Sequence, residues 1–411
     1  MPASGAGGAI KEVTAMLIQH ARGVHGEELE LYLADGKIQA VGRGLAALAA
    51  PGEEVLDAQG LTVLPAFVDL HVHWRTPGFE YKEDIATGSL AAAAGGYTFV
   101  NLMPNTKPVC STAAQAAMVE DEAERTGLCG ANQTVSITQN FDGRTLDHLK
   151  TLPASVRFVS EDGRGVQDAA VMAQAFAICH QKGITIMSHA EDMEISPWDY
   201  RLAEDLETLR NCWLSEYYQT RLHVCHVSTR GAVEAVRIAK LRGAPVSCEV
   251  TPHHLWFTDE SCDYRVNPPI RTADDVAALI EGIRDGTVDA IATDHAPHSD
   301  ADKAAGAAGM VGSETAFGVC YTRLCRGEGL PLELLSILMS ERPAQILGLN
   351  KGRLDPGYDA DLVLVDLERP WTVDRGRLHS KSKNSPYDGA ELYGRVCATV
   401  KGGKVTYRAE D

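Results

Sequence analysis

The stretch FVDLHVHWRTPG, residues 67–78, ends an apolar run on two histidines, His71 and His73, with Arg75 two residues further on. Residues two apart on a strand point to the same face, so both imidazoles can share one metal ion. Taken alone, an HxH pair serves equally well as a structural or surface pair. The same residue types recur at the ends of later apolar runs: His189 after ITIMS, His226 in LHVCHV, and Asp294, His295 and His298 in TDHAPH. Imidazole and carboxylate are the usual zinc ligands, and their repetition turns a weak signal into a metal site. Asn105 in MPNT, and Glu161 and Asp162 in SEDG, stand at equivalent places. Spacing also sorts the histidines. His223 and His226 are three apart and face opposite sides, so only one ligates; His226 is nearer the strand end, which leaves His223 as a satisfied interior or helix-facing residue. His253 and His254 are assigned supporting or structural roles, and His20, His25, His148, His180 and His379 are expected at the solvent.

For residues so far apart in the chain to meet, the ends of several strands must converge. Apolar, β-branched runs alternate with helical patterns, and eight qualify as strands: TVLPAFVDLHV, TFVNLM, QTVSIT, VRFVS, ITIMSH, LHVCHV, PVSCEV and DAIATD. Eight βα units close into a TIM-type (β/α)8 barrel, an α/β fold whose functional residues gather at the carboxyl ends of the strands. The residues named above fall there. TADDVAALIEGIRDG offers Thr272 as N-cap, Val276, Leu279, Ile280 and Ile283 at helical spacing, and Gly286 as stop, and RGAVEAVRIAKLRG reads the same way. The barrel is expected over 63–351. Residues 13–62 and 352–411 carry strand-and-turn patterns, with turns at Asp35-Gly36 and Gly402-Gly403. Too short for separate large domains, they are expected to pair into one small β-sandwich-like domain built from both chain ends. DADKAAGAAGMVG, residues 300–312, reads as a mobile loop.

Composition narrows the function classes. Lys and Arg total 38 against 56 Asp and Glu, a net charge of −18, which argues against general affinity for nucleic acid or anionic membrane. Any anionic ligand must be held by a few local cations. Residues 1–12, MPASGAGGAIKE, read as a flexible lead-in and not a signal peptide, and no apolar run is long enough to span a membrane. The ten cysteines form no CxxC pair, so free thiols in a reducing cytoplasm are expected, with Cys225 and Cys248 in the core.

Ten segments then fall in one order: DLHVHWRTPG, GGYTFVNLMPNTKPV, SEDGRGVQDA, SHAED, LHVCHVST, CEVTPHHL, VNPPIR, DAIATDHAPH, VGSETAFG and KNSPYDG. This series resembles the cyclic amidohydrolases, and within them the type I dihydroorotases of pyrimidine biosynthesis. The resemblance implies two Zn2+ ions held by His71, His73, Asp162, His189, His226 and Asp294, with Asp162 as the bridge and Glu161 solvated or supporting. It further implies substrate contacts from His73, Arg75, Asn105, Asn267 and His298, with Ala308 and Gly309 beside the substrate ring. Hydantoinases and dihydropyrimidinases bridge their metals with a carboxylated lysine after the fourth strand, whereas VRFVSEDGRG has no lysine there.

The implied reaction is the reversible hydrolysis of L-dihydroorotate to N-carbamoyl-L-aspartate. Asp294 would act as general base and then acid, and Arg75 would fork onto the substrate carboxylate. A homodimer and an association with aspartate carbamoyltransferase are implied as well. The rivals are another cyclic amidohydrolase of hydantoinase, dihydropyrimidinase or allantoinase type, and a non-catalytic scaffold that has lost its metal. The chain departs from the family pattern at Trp74 and Thr76, in a short connection after SHAED, and at Ala308, where relatives carry a larger apolar residue.

Overall fold

The computed structural model describes residues 15–410, so the lead-in expected over 1–12 lies outside the described residues. The apolar runs become strands β1 (Phe67–Val72), β2 (Tyr97–Leu102), β3 (Gly130–Gln133, continued by Val135–Ser136), β4 (Phe158–Ser160), β5 (Thr185–Ser188), β6 (Leu222–Val224), β7 (Val246–Val250) and β8 (Ala290–Ile291). Each pairs in parallel with its neighbours in chain order. The two ends of the series also meet. Val72 bridges in parallel to His295, just past β8, and the His73 N–H donates to the His295 carbonyl at 2.9 Å.

Parallel neighbours need crossovers, and helices supply them. These are α1 (Ile85–Ala94), α2 (Ala113–Thr126), α3 (Ala169–Lys182), α4 (Tyr200–Tyr218), α5 (Arg230–Leu241) and α6 (Ala273–Asp285), with the short helix Asp147–Thr151 between β3 and β4. Each of the six labelled helices starts on an aspartate or threonine whose side chain accepts a first-turn N–H, which satisfies a donor the helix itself cannot. On α6, Thr272 caps the start, Gly286 adopts φ 80° at the end, and Val276, Leu279, Ile280 and Ile283 are buried, as their spacing predicts. Inside the strands, Val68, Leu70, Met103, Phe158, Met187 and Cys225 pack with Ala344 and Leu347 from the C-terminal helices. Burying each large apolar side chain there is worth about 1.5–3 kcal/mol, which keeps the strand ends above it in register.

The flanking segments pair into one eight-stranded sheet. Thr62–Pro65 from the N-terminal side lies beside Leu362–Asp366 from the C-terminal side, antiparallel, and Ile18, Leu31, Leu33, Leu362 and Leu364 share one core. Turns at Asp35-Gly36 and Gly402-Gly403 close its hairpins, all four residues having positive φ. Two expectations need correction. TVLPAFVDLHV is two strands, because the chain leaves the flanking sheet at Pro65 and Ala66 before β1 begins. Residues 300–312, expected as a mobile loop, are not loop throughout: Asp300–Ala304 is a helical turn with a Ser299/Asp302 capping box, and Met310 bridges to His295. All ten cysteines are free, with Cys225 and Cys248 buried. No helix among the described residues is long and apolar enough to cross a membrane.

Candidate active site

The carboxyl ends of the strands surround a cavity of about 220 Å3. Its lining includes His73, Arg75, Asn105, Asp162, His189, His226, Asn267, Asp294, His298, Ala308 and Gly309, which are all the site residues read from the sequence except His71. His71 lies beneath, fully buried. Arg75, His226 and Asp294 hold φ of 60°, 35° and 46°. A side chain in this left-handed region costs about 1–3 kcal/mol, a cost that clusters at functional sites.

Asp162 is the centre. Its Oδ1 lies 3.2 Å from His71 Nε2, 3.6 Å from His189 Nδ1 and 3.9 Å from His226 Nε2, and its Oδ2 lies 3.6 Å from His73 Nε2. Asp294 Oδ1 completes the other side, 3.2 Å from His73 Nε2 and 3.7 Å from His71 Nε2. Among the described residues three groups are able to hold a metal ion: His71–His73–Asp162 and Asp162–His189–His226, joined through the shared aspartate, and His71–Cys225–Glu249. The donor chemistry fits such ions. His71 Nε2 is buried with no hydrogen-bond partner among the described residues, and His189 Nδ1 and His226 Nε2 face each other at 3.0 Å beside the Asp162 carboxylate. Burial pushes the carboxyls of Asp162 and Asp294 up, yet the surrounding imidazoles outweigh it and hold both well below the usual carboxylate range. In turn, burial lowers His189, but hydrogen bonds to Asp162 and Glu191 hold it up at about 10. A field that strong in favour of a proton also favours a bound cation.

The histidine–aspartate cluster is braced from outside by three carboxylates that the sequence reading did not assign. Glu191 Oε2 lies 3.0 Å from His189 Nε2 and accepts from Asn267 Nδ2 at 3.1 Å. Glu249, wholly buried, lies 3.2 Å from His71 Nδ1 and 2.9 Å from His223 Nε2, whose Nδ1 meets Ser247 Oγ at 2.8 Å. Asp69 accepts from the Thr293 and His71 N–H groups and from Thr293 Oγ1, pinning β1 to the segment after β8. Carboxylates behind metal-binding histidines fix ring orientation and raise ligand basicity. Signals for them exist in the sequence. Asp69 and His71 on β1 and His73 just past its end follow at steps of two, and Glu191 is two residues past His189.

The opposite side of the cavity is cationic. Arg75 donates through Nε to the Pro297 carbonyl at 3.1 Å, and its Nη2 lies 3.2 Å from His298 Nε2. Lys82 Nζ lies 3.2 Å from His298 Nδ1. Burial lowers the Arg75 guanidinium to about 10, which leaves it charged at neutral pH, and burial together with Arg75 and Lys82 presses His298 down to about 3, so its imidazole is neutral. Lys303 donates to the carbonyls of Arg265, Ala307 and Gly309, which holds the wall in shape. Gly309 must be glycine: φ is 128°, and a Cβ there would sit 2.8 Å from Ala296 Cβ.

Some expected roles shift. Asn105, read as a substrate contact, also ties the site together, its Oδ1 2.9 Å from His73 Nδ1 and its Nδ2 donating to Asp162 at 2.8 Å. Glu161 is buried, not solvated, and accepts from the Thr138 N–H at 2.9 Å and from its hydroxyl. His223 is the satisfied interior histidine expected, and His254 is structural, between Thr251 Oγ1 and the Pro268 carbonyl. His20, His25 and His180 are exposed, but His148 and His379 are half-buried on the Ser136 carbonyl and Glu314.

The profile of the amidohydrolase family matches residues 62–406. The dihydroorotase of Clostridium botulinum (strain Eklund 17B / Type B) is 44% identical over 398 residues, 96% of this chain and 99% of that protein. The dihydroorotase of Geobacter metallireducens is 40% identical over 411 residues, 93% of this chain and 96% of its own. Among solved structures, L-hydantoinase (dihydropyrimidinase) from Arthrobacter aurescens is similar with a TM-score of 0.85 at 25% identity, covering 96% of both chains.

Proposed function

The chain belongs to the amidohydrolase family, and from that premise we propose the activity its site supports best: it is a dihydroorotase, opening the cyclic amide of L-dihydroorotate to N-carbamoyl-L-aspartate and closing it again. The observation that carries this reading is one small cavity with a histidine–aspartate cluster on one side and Arg75 on the other. A substrate that offers both a polar ring carbonyl and a free carboxylate matches both sides.

The finer parts of the reading follow from the geometry. Eight parallel strands whose ends meet at Val72 and His295 are read as a (β/α)8 barrel over 63–351, with 13–62 and 352–411 read as a second, β-sandwich-like domain; the eight-stranded sheet whose strands lie between Ala15 and Pro65 and between Leu362 and Arg408 supports this. His71, His73, Asp162, His189, His226 and Asp294 would hold two zinc ions, bridged by Asp162. When bound, such a pair supplies a water acidic enough to lose its proton near neutrality and polarises the ring carbonyl. Asp294, held ionised by its neighbours, takes the proton of the attacking water and returns it to the departing ring nitrogen. Arg75 forks onto the substrate carboxylate, and Asn267 and His298 orient the ring beside Ala308 and Gly309.

The hydantoinase-type alternative has the solved-structure likeness in its favour, but an uncharged ring leaves Arg75 without a carboxylate to pair with. Zinc-loaded protein assayed with L-dihydroorotate and with hydantoin separates the two. We expect N-carbamoyl-L-aspartate to form, and hydantoin to be turned over at least about a hundredfold more slowly, the size expected when a buried charged group is left unpaired. Comparable rates on the two rings would overturn the dihydroorotase assignment.

A further inference from the structure

His298 stands between two cations. Its Nε2 lies 3.2 Å from Arg75 Nη2, and its Nδ1 lies 3.2 Å from Lys82 Nζ. A guanidinium and an ammonium only donate hydrogen bonds, whereas a neutral imidazole carries one N–H and one free lone pair. The ring is neutral, because burial, Arg75 and Lys82 keep a second proton off it. One of the two contacts is therefore a hydrogen bond, and in the other a donor faces a donor. Equal distances do not say which is which, and the answer decides what His298 offers a substrate.

The surroundings of the two cations differ. Lys82 sits on the loop that begins at Arg75: the Phe79 N–H donates to the Arg75 carbonyl at 3.0 Å, and the Lys82 N–H to the Phe79 carbonyl at 2.8 Å. This turn lays the Lys82 ammonium over the rings of Phe79 and Tyr81, 5.4 and 5.6 Å from their centres, where a positive charge is favoured. Asp302 Oδ1 is further off, at 3.6 Å, so His298 Nδ1 is the nearer acceptor. The Lys82 side chain is only 13% exposed and does not line the cavity, which leaves a substrate no access to replace that acceptor. Arg75 and His298 both border the cavity, where an incoming acceptor can satisfy the two of them together. The reverse assignment needs Lys82 as a neutral amine that accepts from an Nδ1–H. Burial and Arg75 do lower its affinity for a proton, but Asp302 and the two rings work against them.

We propose that Lys82 is a positioning residue for the reaction: by donating to Nδ1 it fixes His298 in the tautomer that carries its proton on Nε2, so that this N–H and Arg75 Nη2 converge on one acceptor. The inference rests on the dihydroorotase reading, in which that acceptor is an oxygen of the substrate carboxylate. Without substrate the two donors face each other at 3.2 Å. A carboxylate relieves that opposition with two charge-assisted hydrogen bonds, and a ring with no oxygen at this point does not. A substrate that places an N–H there meets two further donors and is disfavoured. Lys82 thus bears on substrate choice without touching the substrate.

Nitrogen-15 NMR of the full chain labelled on histidine locates the proton, with the His298 signals assigned by their loss in His298→Gln. Wild type is expected to show a protonated Nε2 and a bare Nδ1. Lys82→Met keeps the length of the stem and removes the ammonium, so the proton should move to Nδ1 and leave Nε2 to accept from Arg75. In turnover, Lys82→Met should raise KM for L-dihydroorotate about tenfold, the lower end for one hydrogen bond to a charged group, with kcat within about twofold and dihydrouracil unaffected. A wild-type His298 protonated on Nδ1 overturns the proposal, and this spectrum decides alone if Lys82→Met does not fold. So does a tautomer that is the same in both proteins, and so does a variant that loses kcat with KM unchanged. The spectra need no substrate, so a failure of the tautomer assignment and a failure of the dihydroorotase reading are told apart.

Discussion

The two sides of the cavity are opposite in charge and in how they are held. On one side, Asp162 and Asp294 sit among four imidazoles that come from the ends of β1, β5 and β6, and two buried carboxylates, Glu191 just past β5 and Glu249 on β7, brace His189 and His71 from behind. On the other, Arg75, Lys82 and Lys303 surround a neutral His298, and Arg75 and Lys303 are held by backbone carbonyls of loops. The first side suits a cation and is held by strand register. The second suits an anion and is held by loop geometry. Under the proposed function, chemistry rests on strand ends and substrate choice on loops.

The largest break in this arrangement is expected from Asp162→Ala, which removes the carboxylate that joins the two histidine–aspartate groups. Turnover should fall by about a thousandfold or more, and metal content, read by elemental analysis after dialysis, should fall with it. Full metal content in this variant would show that the two groups are independent. Glu249→Gln leaves every ligand in place but loosens His71, and chelator competition should show metal affinity weakened about 10–100-fold. An unchanged affinity would reduce Glu249 to a core partner of His223. On the loop-held side, Gly309→Ala forces a Cβ against Ala296, and a strain of about 1–3 kcal/mol should appear as a raised KM for dihydroorotate with metal content intact. The smallest effect concerns pH. Burial lowers Lys303 to about 8, so it is charged at pH 7 and loses its proton as pH rises past 8. KM for dihydroorotate should rise a few-fold between about pH 7 and 9. Lys303→Met should flatten that rise, and an uncharged ring should not show it.

How much of this was legible in the sequence follows from which contacts are local. His71 and His73 are readable because their relation lies within one strand, and Thr272 with Gly286 because a helix carries its own punctuation. Glu249 was not read, because its role depends on β6 lying beside β7 with His223 paired to Ser247, a register no single strand encodes. A lone charge in the apolar run SCEV was the available hint. His148 and His379 were misplaced for the same reason, their partners Ser136 and Glu314 being on other elements. Helix α4 shows the limit of periodicity. The spacing of its leucines marks an apolar stripe, but the stripe faces outward because Arg271, Ser188 and Ser228 make a better inner surface for its polar face.

The central claim is that one cavity joins a metal-holding side to a carboxylate-holding side, and the measurement that tests it most directly is the ratio of kcat/KM for L-dihydroorotate over uncharged dihydrouracil, in zinc-loaded wild type and in Arg75→Ala. A charge-assisted pair contributes about 1.5–3 kcal/mol, so the ratio should fall by about ten- to a hundredfold in the variant, with metal content unchanged. A ratio that is the same in both proteins would contradict the claim and leave Arg75 without a part in substrate choice.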